Sequence, residues 1–146
     1  MDDLGAQLTP TWLTIVLHAH GHLPAGQVAH IHNVRQVDCP YSQHVSFNAS
    51  YVPDTAPAAP QHLLLKLGKP HALRAARREA IFYAHIAPHL VALSLVLCYG
   101  TGLMTGGKAY VLLADRSSSH HTLTEEPSLP HFEAMVAVLA QLHAAA

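Results

Sequence analysis

Leu63-Leu64-Leu65-Lys66-Leu67 sets a lysine inside a run of leucines. A strand of this composition has apolar side chains to bury, and an ammonium cannot be buried alone. Either the strand lies at a sheet edge, where Lys66 escapes to water, or Lys66 has a fixed partner. Strand alternation puts Lys66 on the face of Leu64, opposite Leu63, Leu65 and Leu67. Downstream, residues 70 to 87 hold the helix formers Ala72, Leu73, Ala75, Ala76 and Ala80, with Arg74, Arg77 and Arg78 on the wet side. Glu79 stands thirteen residues after Lys66. Ala76, Phe82 and Tyr83 sit at helical neighbour spacings from it, so Glu79 lies beside the apolar stripe and is the candidate partner.

Upstream, Thr9-Pro10 is a hydroxyl cap followed by proline at the first helical position. Trp12, Leu13, Val16 and Leu17 continue at helical spacing, giving a helix over 10–20 that Gly21 stops. Pro24 and Gly26 break the chain before a strand over 27–37, and Asp38-Cys39-Pro40 reads as a turn. In the next strand Val45, Phe47, Ala49 and Tyr51 alternate with His44, Ser46, Asn48 and Ser50. One face is core, and the other is wet or faces a ligand. PDTAPAAP (53–60) is a hairpin connection, since its prolines fit neither a strand nor a helix interior.

Beyond the glutamate helix, which Pro88 ends, residues 94–99 and 109–114 read as strands joined by GTGLMTGG, a loop with four glycines. A polar connector over 116–129 carries SSSHH, with His120 and His121, and Glu125-Glu126-Pro127. A last helix follows from about residue 130, with Phe132, Met135, Val136, Leu139 and Leu142 on one stripe. This order predicts an α+β fold: an antiparallel sheet of about five strands, one helix packed across it between the third and fourth strands, and flanking terminal helices.

The 146 residues suit one domain with a core of its own. Net charge is −1 and only 12% of residues are charged, so no basic field points to nucleic acid or anionic lipid as a partner. The start, MDDLGAQ, is acidic and lacks the basic opening of a secretory signal. The apolar run over 90–98 is far shorter than the roughly 20 residues of a membrane span. Cys39 and Cys98 form no metal or redox motif, and a reducing, cytoplasmic setting is the expectation.

From Leu63 onward the chain resembles the small lobe of the aminoglycoside phosphotransferase, choline kinase and ecdysteroid kinase-like family, which has a protein kinase-like fold. The segments that carry the likeness are LLLKLGKP, RREAIFYAHIAPHL, CYG, YVLLAD and the closing LAQLHA, about half the chain, and their order and spacing matter more than any one of them. The resemblance implies that Lys66 holds the α- and β-phosphates of ATP and Glu79 holds Lys66. It implies that backbone groups of Leu112, Leu113 and Ala114 meet the adenine ring. Family members often carry Glu-Asp where this chain has Ala114-Asp115, so only a backbone role carries over at position 114.

On this reading residues 1–114 are the N-terminal lobe, and 115–146 are the hinge connector and a first helix leading toward a C-terminal lobe. The cofactors implied are ATP and magnesium, and the acceptor is a small hydroxylated molecule of unknown identity. No H-x-D-x-x-x-x-N catalytic loop and no later metal-binding aspartate occurs in these residues, so the chain is expected to stop short of the catalytic groups. Gly102 to Lys108 is not a Walker loop, because Ala109 follows the lysine and no helix follows the loop.

The histidines are the rival signal. His18-x-His20-x-His22 and His30-x-His32 have spacings that suit an extended metal site. In a helix, however, His18 and His20 point about 200° apart, and they read as dispersed polar residues. Nothing pairs a serine or cysteine nucleophile with histidine in a recognisable motif. A second class stays open: a non-catalytic binding or interaction domain, built on a degenerate kinase-like fold or an unrelated α+β fold.

Overall fold

A hydroxyl cap and a proline start the first helix. In the computed structural model, which describes residues 7–55, 57–91, 93–119 and 128–145, α1 runs Pro10–Ala19. The Thr9 hydroxyl accepts from the Trp12 N–H at 3.1 Å, satisfying one of the donors that a helix start leaves open. Gly21, at φ +74°, takes the left-handed position just past the helix end. Thr9→Ala is expected to cost about 1 kcal/mol in a urea unfolding curve, and Thr9→Gly less. Equal losses from both would show that the cap hydroxyl is not what holds this end.

Five strands follow: β1 (Val28–Asp38), β2 (Ser42–Tyr51), β3 (His62–Gly68), β4 (Cys98–Leu103) and β5 (Ala109–Ala114). They form one antiparallel sheet in the order β1-β2-β3-β5-β4. β3 therefore lies inside the sheet, so Lys66 is not at an edge. Its alternation holds: Leu63, Leu65 and Leu67 are buried, with Val45, Phe47, Tyr110 and Leu112, against Leu13, Val16 and Leu17 of α1. Trp12 meets the Tyr110 ring edge-on, with centroids 5.4 Å apart. β1 is the mostly exposed edge strand, with two register shifts against β2 and Asn33 at φ +54° inside the second, between His32 and Arg35.

The chain crosses from β3 to β4 through α2 (Leu73–Ile81), which packs on the sheet face opposite α1, over Val111. Here the expected helix over 70–87 is divided. A tight 3₁₀ turn, Pro70–Ala72, precedes α2, and a wide π-type turn, Phe82–Ile86, follows it, ending with Ala87 N–H donating to the Phe82 carbonyl. Pro88 has no N–H to give and crowds the preceding turn, so the backbone widens ahead of it instead of continuing as an α-helix.

The fourth strand also lies later than expected. Residues 94–97 are not strand; Leu90 and Leu93 are buried in a chain of tight turns. Gly100 and Gly102, expected in a loop, are strand residues paired with Leu112 and Tyr110. The reason is close approach. A Cβ on Gly100 would come within 2.8 Å of Val16 Cγ1, and one on Gly102 within 2.9 Å of the Tyr110 ring. The glycines make room for α1 and Tyr110. β4 and β5 are nevertheless adjacent and antiparallel, as expected.

The last helix, α3 (Leu129–Ala145), exposes Phe132, Met135, Val136 and Leu139 by half or more. The connector residues His120, His121, Glu125, Glu126 and Pro127 lie outside the described residues. No described helix is long and apolar enough to cross a membrane.

Candidate functional site

The sheet face under α2 carries the polar half of β2 and β3. Register pairs His44 with Lys66, Ser46 with Leu64 and Asn48 with His62, so these six side chains share that face. Lys66 Nζ reaches Glu79 Oε1 of α2 at 2.5 Å, a charge-assisted hydrogen bond between strand and helix. The side chains keep 23% and 34% of their surface exposed. Both ends of the pair thus still see solvent, and an arriving anion can reach the ammonium.

Lys66 and Glu79 line a cleft of about 320 Å³ with Ser42, His44 and the turn Cys39–Tyr41. That turn joins β1 to β2 and has no glycine. It is strapped to the start of α2. Lys69 Nζ pairs with Asp38 at 2.8 Å, the Lys69 N–H donates to the Tyr41 carbonyl at 3.1 Å, and a His71 ring nitrogen bonds the Pro40 carbonyl at 2.9 Å. The tilted Tyr41 and His71 rings add a contact at 6.4 Å. The roof of the cleft is therefore tied to the element that carries Glu79.

The protonation of the cleft follows from its surroundings. Burial holds His44 below its ordinary value; the Lys66 ammonium lowers it further, and Glu79 pulls the other way. His44 is thus neutral at pH 7. Its Nε2 lies 3.0 Å from the Ser42 hydroxyl, and a neutral ring nitrogen accepting that O–H is the form that suits this state. Near the far side of Glu79, burial first and the carboxylate second push the Tyr83 phenol up.

Four residues along β3 from Lys66, about 13 Å at the strand rise, His62 opens a second cavity of 570 Å³, lined by Ser46, Asn48, Asp115 and Ser117. His62 Nδ1 bonds Asn48 Oδ1 at 2.9 Å, and Asp115 Oδ1 accepts the Ser117 N–H at 2.8 Å. Leu112, Leu113 and Ala114 lie apart from that cavity's lining. Leu112 and Leu113 are buried and paired with both β3 and β4, and the Ala114 N–H donates to the Leu97 carbonyl at 2.8 Å. The ladder runs on past Ala114, where the Asp115 N–H donates to the His62 carbonyl at 3.0 Å.

The structure thus brings Lys66 and Glu79 together and leaves Leu112–Ala114 in the ladder. Ser42 and His44 are the cleft residues that sequence reasoning did not single out. The polar alternation of β2 was the available signal, but register against β3 was needed to set His44 beside Lys66. The His18-x-His20-x-His22 run disperses: His18 bonds the Gly26 carbonyl, His20 the Val16 carbonyl, and His22 packs edge-on against Tyr99. Among the described residues, no three His, Cys, Asp or Glu side chains come together as a metal site would require. No family model matches the chain, and neither a curated protein nor a solved structure does.

Proposed function

We propose that this chain is the nucleotide-binding small lobe of an ATP-dependent small-molecule phosphotransferase of protein kinase-like fold, acting in the cytoplasm on a hydroxylated acceptor. One observation carries the reading: a lysine on the third strand is paired at 2.5 Å with a glutamate on the helix that crosses to the fourth strand, within a β1-β2-β3-β5-β4 sheet. In phosphoryl transfer such a pair positions the phosphates, and positioning supplies most of the rate. The spacing of the two cavities suits a nucleotide laid along β3, phosphates at Lys66 and base near His62 and Asp115–Ser117. The base would then meet Asp115–Ser117, directly after the Leu112–Ala114 backbone that the resemblance implies.

These residues do not fit magnesium. Glu79 is the carboxylate at the Lys66 cleft, and it is already held by the lysine. Asp115 lies at the other cavity, away from where a γ-phosphate would sit. Metal ligands and the group that orients the acceptor would have to come from a second lobe. A non-catalytic binding domain is the second reading, favoured by the lack of an H-x-D-x-x-x-x-N motif in the 146 residues.

The purified chain is expected to bind ATP with a Kd of about 0.1–1 mM, since one wall of a cleft makes only part of the contacts. It is expected to show no turnover of magnesium-ATP with a panel of hydroxylated small molecules. ATP titrations followed by amide NMR shifts, alongside an ADP-release assay, check both statements. Turnover that tracks with the chain through purification and depends on Lys66 would mean that the catalytic groups are in these residues after all. No shift at 10 mM ATP would favour the binding-domain reading.

A further inference from the structure

Lys66 and Glu79 together carry no net charge, and the turn above them offers none of the glycines that let backbone approach a phosphate closely. A dianionic phosphate in this cleft therefore lacks a second positive group, unless one is made on binding. The group in position is His44. It pairs with Lys66 in the β2–β3 register, lines the same cleft, and holds the Ser42 hydroxyl at 3.0 Å.

We infer that His44 and Ser42 form a proton-linked phosphate contact: an anion entering beside Lys66 draws a proton from solvent onto His44, and the Ser42 hydrogen bond reverses. In the free chain the Ser42 O–H donates to the neutral ring. Once His44 is protonated, its Nε2–H donates to the Ser42 oxygen, and the Ser42 hydrogen turns outward to the anion. No covalent bond changes, and bulk water supplies the proton.

The groups facing His44 support this direction. Lys66 on β3 opposes its protonation, Glu79 on α2 favours it, and Cys39 and Tyr41 of the turn complete the cleft. Its β1 neighbour in register, Val37, is uncharged. A bound dianion offsets the Lys66 charge, and the balance then tips toward the imidazolium. The inference takes the identity of the anion, a nucleotide phosphate, from the reading proposed above.

The test follows the His44 ring signal by NMR between pH 5 and 8, assigned by its loss in His44→Gln. It is run on the full chain alone, with sulfate, and with magnesium-free ATP. Sulfate is the control because it stays a dianion throughout this range. Both anions are expected to move the His44 titration upward by about one pH unit. Sulfate affinity should then rise about tenfold in all as pH falls through the free and bound titration points, at about threefold per pH unit midway between them. His44→Gln should flatten that dependence, and Ser42→Ala should weaken sulfate binding while preserving it. ATP that binds through Lys66 with the His44 titration unmoved overturns the inference and leaves the nucleotide reading standing. A sulfate-dependent shift without ATP binding stronger than sulfate's supports the inference and removes the nucleotide reading. Binding of neither anion overturns both.

Discussion

Lys66→Ala is expected to abolish the ATP-induced NMR shifts of this chain while lowering its melting temperature by less than about 5 °C. The two effects separate because of where the lysine sits. Its ammonium lies on the cleft face of β3, not among Leu63, Leu65 and Leu67, so truncation opens no hole in the leucine core. Glu79 keeps 34% of its side-chain surface exposed and can return to water when its partner is gone. Breaking a fully buried pair would strand a charge at a cost of about 3–5 kcal/mol, whereas a solvent-accessible pair is worth about 1 kcal/mol or less.

Binding is another matter. Lys66 is the permanent cation lining that cleft among the described residues, and without it Glu79 is left to repel phosphates. Lys69→Ala is the matched control, since it removes a lysine that serves Asp38 on the roof. Retention of the ATP shifts in Lys66→Ala, or their loss in Lys69→Ala alone, would move the anion site away from the β3 lysine.

Gly68→Ala is expected to destabilise the chain by about 1–3 kcal/mol and to weaken ATP binding, although Gly68 itself is at the end of β3. A Cβ at this position would overlap the Ala76 methyl group of α2. Ala76 is short and cannot swing aside, so the helix itself must shift. Glu79 lies one turn further along α2, and a shift of the helix carries its carboxylate off Lys66. Gly68 and Ala76 both line the cleft, so the added methyl acts on binding through the helix and at the cleft wall itself. A second substitution separates this from a general loss of fold: Ala76→Gly removes the overlapping methyl. The double variant should recover ATP binding while keeping the cost of about 1 kcal/mol for a glycine inside a helix. If it binds no better than Gly68→Ala, the Gly68–Ala76 contact is not what seats Glu79.

The strap from Lys69 and His71 to the β1–β2 turn bears on both variants. In an arrangement with a free glycine-rich turn, the roof would adjust to a displaced helix. Here Asp38, Pro40 and Tyr41 are bonded to the residues that lead into α2, so the turn and the helix move together. Two of these three bonds, the Lys69 N–H to the Tyr41 carbonyl and His71 to the Pro40 carbonyl, do not need the Lys69 side chain and remain in Lys69→Ala.

Local periodicity determined the parts whose neighbours are near in sequence. The alternation of Val45, Phe47 and Ala49 and of Leu63, Leu65 and Leu67 set which faces are buried, because strand side chains alternate whatever lies across from them. Thr9-Pro10 marked the start of α1 by capping chemistry alone. The place of Glu79 beside the apolar stripe made it the candidate partner of Lys66, but only the interior position of β3 removed the alternative of a lysine at a sheet edge.

Tertiary structure decided the rest. Gly100 and Gly102 are strand residues because α1 and Tyr110 press on them, and no local signal distinguishes a glycine that turns from one that makes room. The break after Ile81 depends on how the chain must reach β4, and Pro88 acts on it from a distance. His44 and Ser42 looked like ordinary wet-face residues. Only the β2–β3 register, fixed by packing of the opposite face against α1, sets them beside Lys66, because a slip of one residue would send them to the core side.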